Sequence, residues 1–404
     1  MSQAVSGTTQ APAFPQARTC PYEAPAGYRE LAATGPLSRV TLFDGREVWF
    51  VTGYAEARAL LADPRLSSDR TRPGYPIVAP RFRASVARKL VLIGMDPPAH
   101  NAHRRLLNPY FSLRSVRELR PMVERVVERY LDHLESLPQP ADLVSAFAIP
   151  VPSMVMSEVL GLDERDLDFF QDASRRLLHA TTEQDSQQAG GELSGYLDRL
   201  VTLRRKESGP GLVGLLAPEV ERGELTQVEA VQIALVLLIA GHDTTASTIA
   251  LSVITLLQHP EKLAAFRADP DLLPGAVEEL VRLLAVTDLA GARVAVADIE
   301  IEGRTIRAGE GVLISATVAN RDETVHENPD EIRLDRNSRN HIGFGYGIHQ
   351  CLGQNLARIE LQVALSRLFQ RLPGLRLAEP AESLSYRAPG TGTVQGVNHL
   401  PVRW

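Results

Sequence analysis

Cysteine and lysine are scarce in this 404-residue chain, and each shortage narrows what it does. Two cysteines cannot build a disulfide framework, and no secretory signal opens the chain. Lysine occurs only at Lys89, Lys206 and Lys262, so arginine supplies forty of the 43 basic residues, a coding bias rather than chemistry. Against 49 acidic residues this leaves a formal net charge of −6, without the basic footprint that nucleic-acid binding needs. No strongly apolar stretch nears the ~20 residues of a bilayer crossing; the longest is Ile233 to Gly241. The expectation is a cytoplasmic monomer with neither membrane nor nucleic-acid partner. Linkers, internal repeats and a dinucleotide or flavin fingerprint are also missing.

What is present is ordinary globular composition: 44% apolar, 23% charged, 29 glycines and 27 prolines. Met1 to Pro25 is rich in Ser, Thr, Ala and Pro and reads as a loose arm, with one large domain over 26–404. Arg39–Phe43 and Glu47–Val51 flank Asp44-Gly45, a hairpin signal. Residues 68–95 read as a long loop. Helical spacing dominates from His100 to about Leu284, clearest over Ser115–Leu137 and Gln227–Gln258. Short strand-like pieces follow at Arg293, Ile299 and Gly311, and a last helix spans about Gly353 to Arg371. The fold class is mainly α with a minor β portion.

The most informative segment is Phe344-Gly345-Tyr346-Gly347-Ile348-His349-Gln350-Cys351-Leu352-Gly353. A cysteine just before a helix start sits at the positive end of the helix dipole, which favours a thiolate. The glycines let backbone N–H groups turn toward that sulfur. One sulfur with no second cysteine nearby is a poor zinc site, but it suits an iron already held by a macrocycle. Further up, Ala240-Gly241-His242-Asp243-Thr244-Thr245 places an acid beside an alcohol inside an apolar helix. Taken alone, this is a helix-packing pair before it is a proton relay. Glu279 and Arg282, three apart, would alone be an exposed pair worth roughly a few tenths of a kcal/mol.

The pattern Phe-Gly-x-Gly-x-His-x-Cys-x-Gly, continued by Leu356-Ala357-Arg358, resembles the haem-binding signature of the cytochrome P450 family. The resemblance extends over nearly the whole chain after the arm and implies that family's fold in a single large domain. It implies haem b, with Cys351 as iron ligand in a loop that includes Phe344 and Gly345. It places Asp243 and Thr244 in proton delivery, with Gly241 opening a groove for O2, and makes His100, Arg104, Arg293 and His341 contacts for the propionates. Glu279, Arg282 and Arg336 become a structural network. Ala102 and Arg333 depart from the family pattern, in local salt bridging only.

The activity implied is insertion of one oxygen atom from O2 into a small or medium organic molecule, such as a natural-product intermediate. Electrons would come from a ferredoxin and its reductase, docked by Arg105, Arg114 and Arg358. Substrate choice is expected in 68–95, 163–200, 234–238, 286–292 and 390–396, with Thr287, Asp288 and Thr391 as polar anchors. Oxidative C–C or C–N coupling in the same fold and a non-catalytic haem-binding protein are the alternatives. A peroxide-driven relative would not need Asp243 and Thr244.

Overall fold

The helical spacing between His100 and Leu284 resolves into a nearly continuous series of helices. The computed structural model describes residues 11–16, 20, 23–80, 90–179, 182–287, 291–387 and 394–404. Its main helices are α1 (Ala26–Ala33), α2 (Tyr54–Ala62), α3 (Ala99–Leu107), α4 (Leu113–Ser136), α5 (Pro150–Leu160), α6 (Leu167–His179), α7 (Glu183–Lys206), α8 (Gly211–Glu221), α9 (Gln227–Leu257), α10 (Pro260–Ala268), α11 (Leu273–Leu284) and α12 (Gln354–Arg371).

A reciprocal cap starts α9. Thr226 Oγ1 accepts the Glu229 N–H at 3.1 Å, and Glu229 Oε2 accepts the Thr226 N–H at 2.8 Å, satisfying two donors that would otherwise be orphaned. Beyond the cap the helix is apolar on nearly every side, the signature of a core helix, and it packs against α5, α7, α8, α11 and α12. Its length and mean hydropathy of 1.5 would suit a membrane span, contrary to the expectation from Ile233–Gly241, but 72% of its most apolar window is buried inside the protein.

The expected hairpin forms as β1 (Leu37–Thr41) and β2 (Glu47–Val51), paired from Leu37 opposite Val51 to Thr41 opposite Glu47. With β3 (Leu66–Ser67), β5 (Arg293–Ala295) and β8 (Gly311–Ile314) they make a sheet ordered β1-β2-β8-β5-β3. β2 runs parallel to β8, with Trp49 opposite Val312. A three-stranded sheet joins β4 (Ala141–Asp142), β10 (Pro401–Arg403) and β9 (Arg376–Leu377), and β6 (Ile299–Ile301) pairs with β7 (Arg304–Ile306).

The arm is not loose where it is described. The Phe14 N–H donates to Thr41 O at 3.0 Å, and the Phe14 ring is buried and stacks on Tyr28 with centroids 5.5 Å apart. Burial of a large aromatic offsets the entropy of ordering those residues. Residues 81–89 of the 68–95 loop, Asp288 and Thr391 lie outside the described residues.

Candidate active site

The sulfur loop is set by its glycines and by α2. Gly345 and Gly347 both adopt φ +72°, where a side chain is strained. A Cβ on Gly347 would also lie 2.6 Å from Leu61 O. Arg58 of α2 stacks over the Tyr346 ring at 4.2 Å and donates to its hydroxyl at 2.9 Å. The turn closes where the Cys351 N–H donates to Phe344 O at 2.8 Å. Cys351 is exposed, yet it is so enclosed by protein that burial pushes its thiol up; the Gly353 N–H and the charges of Arg104 and Arg358 act the other way. A sulfur both accessible and enclosed faces a hollow, not bulk water.

Behind the loop lie two acids. Glu279 and Arg282 are each 0% exposed, so the exposed pair suggested by spacing alone is instead fully interior. Arg282 Nε and Nη2 donate to Glu279 at 2.8 and 2.9 Å, and Arg336 Nε, Ser338 Oγ and the Arg333 N–H add bonds of 3.2, 2.5 and 3.1 Å. Burial alone would raise the Glu279 carboxyl, but Arg282 and the other donors more than offset it and hold it below the usual range.

Beside it, Glu278 takes His341 Nε2 at 3.1 Å and Arg358 Nε at 2.5 Å. Burial again works upward, and the His341 and Arg358 hydrogen bonds bring the Glu278 carboxyl down to about 2. His341 Nδ1 accepts the Gly343 N–H at 3.0 Å. Both ring nitrogens of His341 are therefore committed, unlike the free donor expected for a propionate. Arg358, expected at a docking face, is likewise tied to Glu278 and stacks 4.5 Å over the Phe344 ring. Acid and base stand 80 and 63 residues apart in sequence, so no local spacing signalled this cluster.

The other three expected propionate contacts do come together. Arg293 is buried, His100 is buried, and Arg104 Nη1 donates to Gln350 O at 3.0 Å. His349 joins them with its ring centroid 4.1 Å from that of His100. Burial drives His349 down to about 3, with the charges of Arg293, His100 and Arg104 adding to the effect, so all four basic groups act on one locus. Burial also lowers His100, Arg104 and Arg293. Clustered basic groups repel one another and are costly to desolvate. Anionic groups placed among them would relieve both costs.

A further feature is an open stripe in the middle of the buried helix α9. Ala240 is exposed and Gly241 and Thr244 are half-buried, although Leu237, Leu238, Thr245 and Ala246 around them are buried. Among the residues of α9 beyond its first turn, Ala240 is the exposed one, so the helix presents its open side there. Thr244 Oγ1 donates to Ala240 O at 2.7 Å and Thr248 Oγ1 to Thr244 O at 2.8 Å. These back-bonds compete with the helix ladder there. The Ser247 hydroxyl lies beside Gly396.

Gly241 is also corrected: a Cβ there would lie 2.5 Å from Met156 Sδ, so the missing side chain admits α5 rather than opening a groove. Asp243 is buried and bound fork to fork by Arg387, with Nη1 and Nη2 each 2.9 Å from a carboxylate oxygen. Arg387, His349, Glu278 and Met156 were all missed from sequence, because each acquires its role only through distant chain.

Comparison with known proteins agrees with this architecture. The family model "Cytochrome P450" matches residues 153–373. The chain is 54% identical to "Vitamin D3 dihydroxylase" of Streptomyces griseolus over 399 residues, covering 98% of each chain. It is 51% identical to "Pentalenic acid synthase" of Streptomyces avermitilis, covering 97% of each. The structure of the mycinamicin VIII C21 methyl hydroxylase MycCI from Micromonospora griseorubida, bound to mycinamicin VIII, superimposes with a TM-score of 0.91 at 38% identity, over 97% of this chain and 100% of that one. With the signature loop, the core helix and the mixed sheet in place, the chain belongs to the cytochrome P450 family and is a monooxygenase of that family.

Proposed function

We propose that this chain uses haem b, held through Cys351, to hydroxylate a small or medium, largely apolar natural-product-type molecule with electrons from a ferredoxin. The observations that carry the reading are the accessible yet enclosed sulfur of Cys351, the cluster of basic groups around His349 and the open residues Ala240, Gly241 and Thr244 on α9. These features fit the group's chemical needs: Cys351 would supply a thiolate to its iron, and the basic cluster would supply donors to its carboxylates. Arg104, Arg293, His100 and His349 would hold the propionates, and Phe344 and Gly345 would shape the proximal surface. The bound group supplies activation of O2 and the electron transfers.

The chain's own residues do the rest. The Gly353 N–H and the nearby guanidinium groups stabilise negative charge on sulfur. Thr244, with its hydroxyl proton parked on Ala240 O, offers lone pairs toward the hollow. Asp243, the residue before it, moves protons between solvent and that alcohol. The apolar walls exclude water from the reacting centre. A solvent-facing hollow of about 420 Å³ lined by His100, Arg104, Arg105, Asn108 and Ile348 supports ferredoxin docking on this side. Arg105 lines that hollow and is exposed, as is Arg114, whereas Arg358 is tied to Glu278. The relatives named for vitamin D3, pentalenic acid and mycinamicin VIII support an organic substrate of natural-product type.

The test is Cys351→Ser in the purified holoprotein. The reduced, carbon-monoxide-bound parent should show the red-shifted Soret band of thiolate ligation. The variant should lose that band and at least about a thousandfold of hydroxylation rate. A parent without the band overturns the reading.

A further inference from the structure

We infer that Glu278 is a positioning residue for electron uptake: it clamps Arg358 against the Phe344 ring, so that the guanidinium charge stays beside the Cys351 loop. This rests on the proposed ligation of haem iron by Cys351. The clamp has two points. Arg358 Nε donates to Glu278 Oε1 at 2.5 Å and Nη2 to Oε2 at 3.0 Å, and bidentate, charge-assisted bonds fix direction as well as distance. The acid is 6% exposed and the arginine 22%. The guanidinium carbon stands 4.5 Å from the centre of the Phe344 ring. Gln354, one turn earlier on α12, accepts Nη1 at 2.9 Å through Oε1, but it is neutral and holds a single nitrogen.

The same carboxylate holds a second neighbour of that ring. Glu278 Oε2 accepts from His341 Nε2 at 3.1 Å, and the His341 ring lies 5.6 Å from that of Phe344. One acid on α11 thus grips both groups packed on Phe344, whose carbonyl in turn accepts the Cys351 N–H at 2.8 Å. The consequence is electrostatic. When one electron enters the site from the ferredoxin, no bond to sulfur breaks and the local charge falls by one. A cation held nearby favours that uptake, and the Arg358 charge acts on the Cys351 sulfur. As an anion, Glu278 by itself opposes uptake; as a clamp on Arg358 it favours uptake. The two roles differ in sign.

Four holoproteins test this: the parent, Glu278→Leu, Arg358→Leu and the double variant. Each is titrated anaerobically, without substrate, with dithionite and mediator dyes, so that docking plays no part. Denaturant unfolding and the reduced carbon-monoxide spectrum are recorded for each. A clamp predicts that Glu278→Leu lowers the equilibrium constant for one-electron reduction at least about threefold, or about 28 mV at 59 mV per tenfold. Arg358→Leu should lower it as far or further, and the double variant should match Arg358→Leu alone. Glu278→Gln, which keeps the shape and one acceptor oxygen, should shift it in the same direction by a smaller factor, and it decides the matter if Glu278→Leu does not fold. A potential that rises when the acid is removed means that Glu278 acts through its own charge, which overturns the clamp. A lowered unfolding midpoint with a parental potential makes Glu278 merely structural and overturns it too, as do additive shifts in the double variant. If the parent lacks the thiolate band, the reading of Cys351 falls first and takes the clamp with it; a parent with the band and variants at its potential remove the clamp alone.

Discussion

The two sides of the sulfur differ in how completely their polar groups are used. Behind the loop, Glu279 has five hydrogen bonds from four residues and Glu278 is bracketed by His341 and Arg358. Along α9, by contrast, the hydroxyls of Ser247, Ser252 and Thr255 are buried without a hydrogen-bond partner among the described residues. A saturated network has one arrangement, so it fixes the angle at which the loop presents its sulfur. A helix face with spare donors and acceptors can take more than one. The rigid arrangement lies behind the Cys351 loop, and the spare hydroxyls lie in the buried part of α9.

The largest effect should come from breaking the saturated side. Glu279→Gln leaves Arg282, 0% exposed, without its counter-charge, and removal of one partner of a buried pair costs about 3–5 kcal/mol. Denaturant unfolding measures it; a loss below about 1 kcal/mol would mean that the network is not rigid.

Glu278 sharpens the same point through pH. Its folded carboxyl is depressed to about 2, so the stability it contributes is present above its ordinary value near 4.5 and is lost as pH falls through 2. Glu278→Gln should cost about 2–3 kcal/mol at pH 7. The gap from the parent should close between pH 4.5 and 2, as read from urea unfolding across that range.

On the distal side, Gly241→Ala should cost about 1–3 kcal/mol by driving a methyl into Met156. Adding Met156→Ala should restore part of that loss. If Gly241→Ala instead disturbs O2 coupling while leaving unfolding unchanged, the glycine is a groove-maker after all.

The smallest structural effect belongs to the surface. Neutralising Arg105 and Arg114 together should leave stability within about 0.5 kcal/mol. Reduction by ferredoxin in stopped flow should slow several-fold and lose salt dependence.

The sulfur loop was legible in sequence because its chemistry is local: a cysteine, a helix start and glycines within ten residues. The same holds for the β1–β2 hairpin, whose turn residues lie between its strands, and for α9, whose span the spacing predicted to within one residue. Arg387 was invisible because an arginine near a chain end looks the same whether it meets water or an acid 144 residues earlier. His341 was misread for a related reason, since its partner in space is Glu278, on a helix 63 residues earlier. The Gly241 role inverted because a glycine records that space is needed but not what fills it.

The grip of α2 on the sulfur loop has a consequence for biosynthesis. Leu61 and Gly347 touch across most of the chain, Tyr54 Oη donates to Asn340 O, and β2 pairs with β8. A nascent polypeptide emerging from the ribosome cannot close this clasp until nearly all of it has been made. Such distant contacts slow folding. A stalled or clipped product lacking its last sixty or so residues would be a helical shell without the Cys351 loop.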